Sequence, residues 1–118
     1  MQITVTEDGS SVTRVLLVGK LDIAGADKID LPLATVAGNR NSVVIDMSGV
    51  DFIASIGIRH LVIASKAILR ANKILILLKP TEMVTDVLVM SGLTDILPIA
   101  TSEEQVRALI AGRDMGTE

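Results

Sequence analysis

The run Ile74-Leu75-Ile76-Leu77-Leu78, set between Lys73 and Lys79, constrains the fold more than any other stretch. A strand with one wet face alternates apolar and polar residues, whereas this run is apolar at every position. Lys73 to Leu78 reads as a central strand covered on both sides, which in a small domain means helices above and below a sheet. Five residues are far too few for a membrane span, which takes about 20.

The rest of the chain supplies the expected neighbours. Gln2 to Thr6 alternates polar and apolar, as a half-buried strand does. Glu7-Asp8-Gly9-Ser10 is turn chemistry, and Thr13 to Val18 reads as the second arm of a hairpin. Gly19-Lys20-Leu21-Asp22 ends that arm. A helix is expected from about Ala26 to Ala37, with Ile29, Leu33, Val36 and Ala37 on one side. Pro32 either kinks it or marks its true start, and Gly38-Asn39 stops it. Val43 to Met47 reads as a short strand. After a loop, a helix opens at Ser55 and buries Ile58, Leu61, Val62, Ser65, Ile68 and Leu69. A third helix runs from Pro80 or Thr81 to about Met90. A short strand over Ile96 to Ile99 follows, and Thr101-Ser102-Glu103-Glu104 opens a last helix. These elements make one α/β domain: a mixed sheet of about five strands with four helices, core about 2–111, and a flexible tail over 112–118.

Composition removes several classes of function. The 118 residues are 49% hydrophobic and only 1% aromatic, so the interior is aliphatic and the stacking platforms of single-strand nucleic-acid binders are missing. A net charge of −3 argues against a polyanionic partner. No signal-peptide pattern opens the chain, and it has no cysteine, which rules out disulfides and thiolate metal sites and fits a cytoplasmic protein. His60 is the lone histidine, beside Arg59 on a helix, and reads as a surface residue rather than a metal ligand. Neither phosphate-binding glycine motif occurs, so no cofactor is expected.

Ser55 is the residue on which function turns. A helix start leaves backbone N–H groups unpaired and carries partial positive charge, so a hydroxyl there can cap the helix and a phosphate is tolerated. Ser55 can thus be a cap, a nucleophile or a phosphorylation switch. The nucleophile reading is weak. Ala54-Ser55-Ile56-Gly57 matches only half of the G-x-S-x-G elbow, with bulky Ile53 at the first glycine and a loop expected where the elbow needs a sharp turn. His60 lies five residues on, rotated by about 500° along the helix, and points away from Ser55.

Three stretches resemble the signature of STAS domains, and among them the bacterial anti-sigma-factor antagonists. They are Gly19-Lys20-Leu21-Asp22, the run from Asp46 through Ser48, Asp51 and Ser55 to Gly57, and Met90-Ser91-Gly92-Leu93 ahead of Ile96. Their order and spacing match over about Ile3 to Ile110. The resemblance implies that the domain binds an anti-sigma factor that is itself a serine kinase, and so frees the sigma factor. It implies that phosphorylation at Ser55 ends the binding, that a serine phosphatase restores it, that ATP belongs to the partner, and that Asp22 lies near the serine. Two positions depart from the family pattern: Ala54 stands where an Asp precedes the serine, and Ile56 where a second Ser or Thr follows. The partner-contacting set expected is Asp22, Asp51, Ala54, Ile56 and Gly57, with Arg59, Ile63 and Lys66 on the outward stripe of the helix that ends at Arg70. That stripe suits an acidic partner surface, or else is a solvated face with one stray apolar residue. The alternatives are a STAS module of another assembly, such as a stress-signalling scaffold or a lipid-transport complex, and, last, a small serine hydrolase.

Overall fold

The computed structural model describes residues 1–7 and 11–115. Among them, in chain order, come β1 (Gln2–Glu7), β2 (Val12–Leu21), α1 (Ile23–Ala37), β3 (Ser42–Ile53), α2 (Ser55–Arg70), β4 (Leu75–Leu78), α3 (Glu82–Met90), β5 (Ile99–Ala100) and α4 (Glu103–Met115). The sheet keeps that order, β1-β2-β3-β4-β5. β1 pairs antiparallel with β2, as the hairpin pattern required, and every other pair is parallel. Parallel neighbours need a crossover, which α1, α2 and α3 provide.

All four residues of β4 are buried, and they divide between two cores. Leu75 and Leu77 join Val15, Leu17, Val43 and Ile45 beneath α1, α2 and α3. Ile76 and Leu78 join Val12, Val44, Ala100 and Val106 beneath α4. A period-2 strand with apolar residues at every position has no other way to hide both sets of side chains.

Several boundaries differ from the sequence expectation. β3 does not stop near Met47 but continues to Ile53. Two irregularities in its pairing with β2 concealed the extension. Gly19 pairs with Val50 and Lys20 with Phe52, so Asp51 is an extra residue that bulges out to solvent. An earlier slip falls next to Ser48, whose N–H and Oγ–H both donate to Asp46 Oδ1, at 2.9 and 2.7 Å. Polar residues that would break a regular strand pattern are thus accommodated in bulges. α1 starts at Ile23, three residues earlier than expected, and Pro32 lies inside it rather than at its start. The expected last strand shifts to Ile99–Ala100, because Ile96 and Leu97 both donate to the Leu93 carbonyl and close a turn. Glu7 belongs to β1 rather than to a turn, while Asp8, Gly9 and Ser10 lie outside the described residues. α4 passes through Gly112 to Met115, where a tail was expected, and residues 116–118 lie outside the described set. In α2, Leu61, Ser65 and Ile68 are buried as patterned, but Ile58, Val62 and Leu69 are half-buried, and Gly57 and Ala64 lie deeper. The buried Ser65 hydroxyl donates to the Ile96 carbonyl at 2.6 Å, which removes the cost of hiding it.

α4 is tied across the second face by a two-point ion pair. The Arg14 guanidinium donates to both Glu103 oxygens, at 2.9 and 2.8 Å. Ser102 caps the helix, its Oγ accepting from Gln105 N–H at 3.2 Å. The hydrogen bonds from Arg14, aided by its charge, hold the Glu103 carboxyl below its ordinary value of 4.5. A lowered folded-state pKa adds stability above the unfolded value, and that stability is lost as pH falls through the folded value. Glu103 is nearly half exposed, so solvent screening keeps the contribution small. Glu103→Gln is therefore expected to lose less than about 1 kcal/mol at pH 7. Urea titrations across pH should show the gap between variant and parent closing as pH falls below 4.5.

Candidate functional site

β2, β3 and β4 run parallel, so the helices that follow them all begin at one rim, beyond the carboxyl ends of the strands. In open α/β sheets that rim is where binding sites form. The Ala54 N–H donates to the Leu21 carbonyl at 2.8 Å and joins the end of β2 to the start of α2. Two glycines allow the approach. A Cβ on Gly25 would fall on the Lys20 carbonyl oxygen. One on Gly57 would come within 3.1 Å of Leu21 Cβ and 3.2 Å of its carbonyl oxygen. Thr81 closes the third corner: its hydroxyl donates to the Val50 carbonyl at 3.3 Å and accepts from Val84 N–H at 3.4 Å as the cap of α3.

Ser55 is exposed on this rim, but it is not the helix cap. The N-cap of α2 is Ala54, in extended conformation and with no side-chain cap, and Ser55 is the first helical residue. The backbone decides this, because the first turn closes on Ala54: Gly57 and Ile58 both donate to the Ala54 carbonyl, at 3.0 and 3.1 Å. The hydroxyl is left outside the capping geometry.

Asp22 follows Leu21 and Ser55 follows Ala54, so the two residues adjoin the Leu21–Ala54 hydrogen bond along the chain. The first task of Asp22 is structural. Asp22 is the N-cap of α1, and its Oδ1 accepts from Gly25 N–H at 2.8 Å. Asp51 stands exposed in its bulge. Next to it is Phe52, the only aromatic residue of the chain and 40% exposed. The sequence reading passed over Phe52 as a site residue. Its signal was there: a lone aromatic beside the motif, in a chain whose core is otherwise aliphatic.

Along α2, Arg59, Lys66 and Arg70 are exposed, and Ile63 is 55% exposed. The helix carries three cations and no carboxylate in a chain of net −3. Beside this stripe runs a groove of about 410 Å³ between α1 and α2, lined by Leu33 and Ala37 on one side and Ile56, His60, Ile63 and Ala67 on the other. Ile56 and Ile63 therefore belong to one apolar surface, together with α1 residues that sequence spacing did not join to them.

The lone histidine is partly buried in the groove and not on the open surface. Its Nδ1 faces Asp30 Oδ1 of α1 at 3.7 Å. The step from β3 to α2 is one residue long, so the loop expected before Ser55 does not exist and that objection to a nucleophile elbow falls. The other two stand: Ile53 fills the glycine position, and the lone histidine is turned toward α1. Among the described residues no group of three or more His, Cys, Asp or Glu is arranged to hold a metal, and no helix is long and apolar enough to cross a membrane.

The model of the STAS domain family matches residues 3–106. The chain belongs to the STAS family. Its relatives include BtrV of Bordetella bronchiseptica, described as a candidate anti-sigma factor antagonist, which is 30% identical over 93 residues covering 78% of this chain and 80% of BtrV. An anti-sigma factor antagonist from Mycobacterium paratuberculosis superposes with a TM-score of 0.80 at 20% identity, covering 93% of this STAS domain and 95% of that chain. SpoIIAA of Bacillus, solved in its phosphorylated form, gives 0.70 at 19% identity, covering 92% and 99%. These two likenesses establish the fold. The α/β architecture with a five-stranded mixed sheet and four helices is that of a STAS domain.

Two substitutions separate structure from surface at this rim. Asp22→Ala should cost about 1 kcal/mol in urea unfolding, because it strips the α1 cap, whereas Asp22→Asn should hold stability within a few tenths, since Asn caps as well as Asp. Ser55→Asp should move Tm by less than about 3 °C in a calorimetric scan, because the first turn of a helix accepts negative charge.

Proposed function

We propose that this STAS domain is an anti-sigma factor antagonist that works by partner switching. With Ser55 unmodified, it docks through the rim and the α2 stripe on an anti-sigma factor that is also a serine kinase, and the sigma factor is released. The kinase then transfers the γ-phosphoryl group of its own ATP to Ser55 Oγ; the hydroxyl proton is lost and ADP leaves. The phosphorylated domain lets go, and a serine phosphatase resets it by hydrolysis. The domain itself is not an enzyme and needs no cofactor, and it acts in the cytoplasm, where kinase, phosphatase and sigma factor meet. Asp22, Asp51, Ala54, Ile56 and Gly57 form the contact around the serine, and Arg59, Ile63 and Lys66 extend it along α2.

The observation that carries this reading is the exposed Ser55 hydroxyl, held on a rigid rim at a helix start and used in no cap. A phosphate adds about −1.5 to −2 charges. The domain accommodates it at the first turn, with a gain of roughly 0.3–2 kcal/mol, so the fold need not move. A partner packed over Ser55 has to desolvate that dianion beside Asp22 and Asp51. About 1.4 kcal/mol already weakens binding tenfold, and an uncompensated buried charge costs several times that. BtrV is described as a candidate for the same role, and SpoIIAA is known phosphorylated. Both support the assignment. Ala54 in place of the usual acid leaves the serine to be recognised through the rim rather than through a neighbouring carboxylate.

The expected outcome is that purified anti-sigma kinase from the same organism binds the parent and Ser55→Ala with similar affinity in calorimetry, and binds Ser55→Asp at least tenfold more weakly. Equal affinity for all three refutes control at this position.

A further inference from the structure

The side chain that would meet a phosphate on Ser55 lies one helical turn away. Ser55 and Arg59 are i and i+4 on α2, so their Cβ atoms stand on one face about 5–6 Å apart. Both are exposed. Arg59 forms no ion pair with any described residue, whereas Arg14 is engaged with Glu103 and His60 faces Asp30. Lys66 and Arg70 share the stripe, but they lie about three turns or more beyond Ser55, out of reach of its phosphate. Of the acids at the rim, Asp22 is engaged as the cap of α1, and Asp51 stands exposed in the β3 bulge. His60 is turned into the groove toward Asp30. Arg59 is thus the α2 cation placed to close on a phosphate at position 55, and its planar fork suits two phosphate oxygens.

We propose that Arg59 is the internal counter-ion of phosphorylated Ser55, and that its capture by the phosphate is part of how the modification is read. The proposal rests on Ser55 as the modified residue. In the unmodified domain Arg59 lies on the rim of the α1–α2 groove, available to a carboxylate of the docking partner. After phosphorylation it folds back along α2 onto Ser55. Modification then has two consequences at once: it adds a dianion under the partner, and it withdraws a cation from the docking surface. Charge moves by one turn of helix while the backbone stays where it is.

The test uses the domain alone, with phosphoserine installed at position 55 during synthesis, so it does not depend on the kinase. The second ionisation of phosphoserine lies near 6. By ³¹P NMR titration, the parent should titrate roughly 0.3–0.6 pH unit below Arg59→Gln, the size expected of an exposed, well-placed pair. Arg59→Lys should restore part of that gap. The Arg59 Nε–H resonance should shift between the unmodified and the phosphorylated parent. Amide spectra of each variant establish that it is folded. Equal ionisation in parent and Arg59→Gln, or an Arg59 resonance unmoved by phosphorylation, overturns the counter-ion role. Neither result bears on whether the cell modifies Ser55, which mass spectrometry of the native protein decides separately.

Discussion

The hydrogen bond from Ala54 to the Leu21 carbonyl holds the working end of this molecule together. It fixes where β2 ends relative to where α2 begins, and so where Asp22 and Ser55 stand. Gly57 eases the approach of α2 to Leu21, and Gly25 lets the start of α1 close on the Lys20 carbonyl, with no side-chain carbon in the way. Ordinary helix propensity favours Ala over Gly at both positions by roughly 1 kcal/mol, and the close approach overrides it. A backbone held at both edges of the rim leaves only side chains to be ordered by anything that binds there.

The architecture was legible because its governing signal is strong and local. A run that is apolar at each of five positions admits one burial pattern, and β4 adopts it. The antiparallel hairpin, the parallel strands after it and the helix starts near Thr81 and Ser102 followed from the same kind of reading. What escaped was whatever depends on pairing between distant residues. β3 looked short because Ser48, Gly49 and Asp51 read as a loop, whereas its partner β2 absorbs them in two bulges. Nothing within β3 itself announces that register.

The site was legible by position and less so by role. Ser55 stands on the rim where the motif put it, yet the cap passes to Ala54, a residue type with no side chain to cap with. The sequence favoured the hydroxyl, and the turn closing on the Ala54 carbonyl decided otherwise. Asp22 was expected near the serine and is also the cap of α1, so charge and stability share one carboxylate there. The groove was invisible, because it exists only where Leu33 and Ala37 of α1 meet Ile56, Ile63 and Ala67 of α2. His60 illustrates the same limit. Spacing along α2 shows that it faces away from Ser55, but not that Asp30 waits across the groove.

The all-aliphatic interior has a consequence for how such a molecule can be watched. With neither tryptophan nor tyrosine, the folded chain has only the feeble emission of a single phenylalanine, and loss of its aliphatic packing leaves almost no aromatic trace. Its one benzene ring, that of Phe52, stands outside the core on the rim next to the β3 bulge. An indole grafted at position 52 would be the sole emitter in the domain, reporting contact at that margin against a silent background.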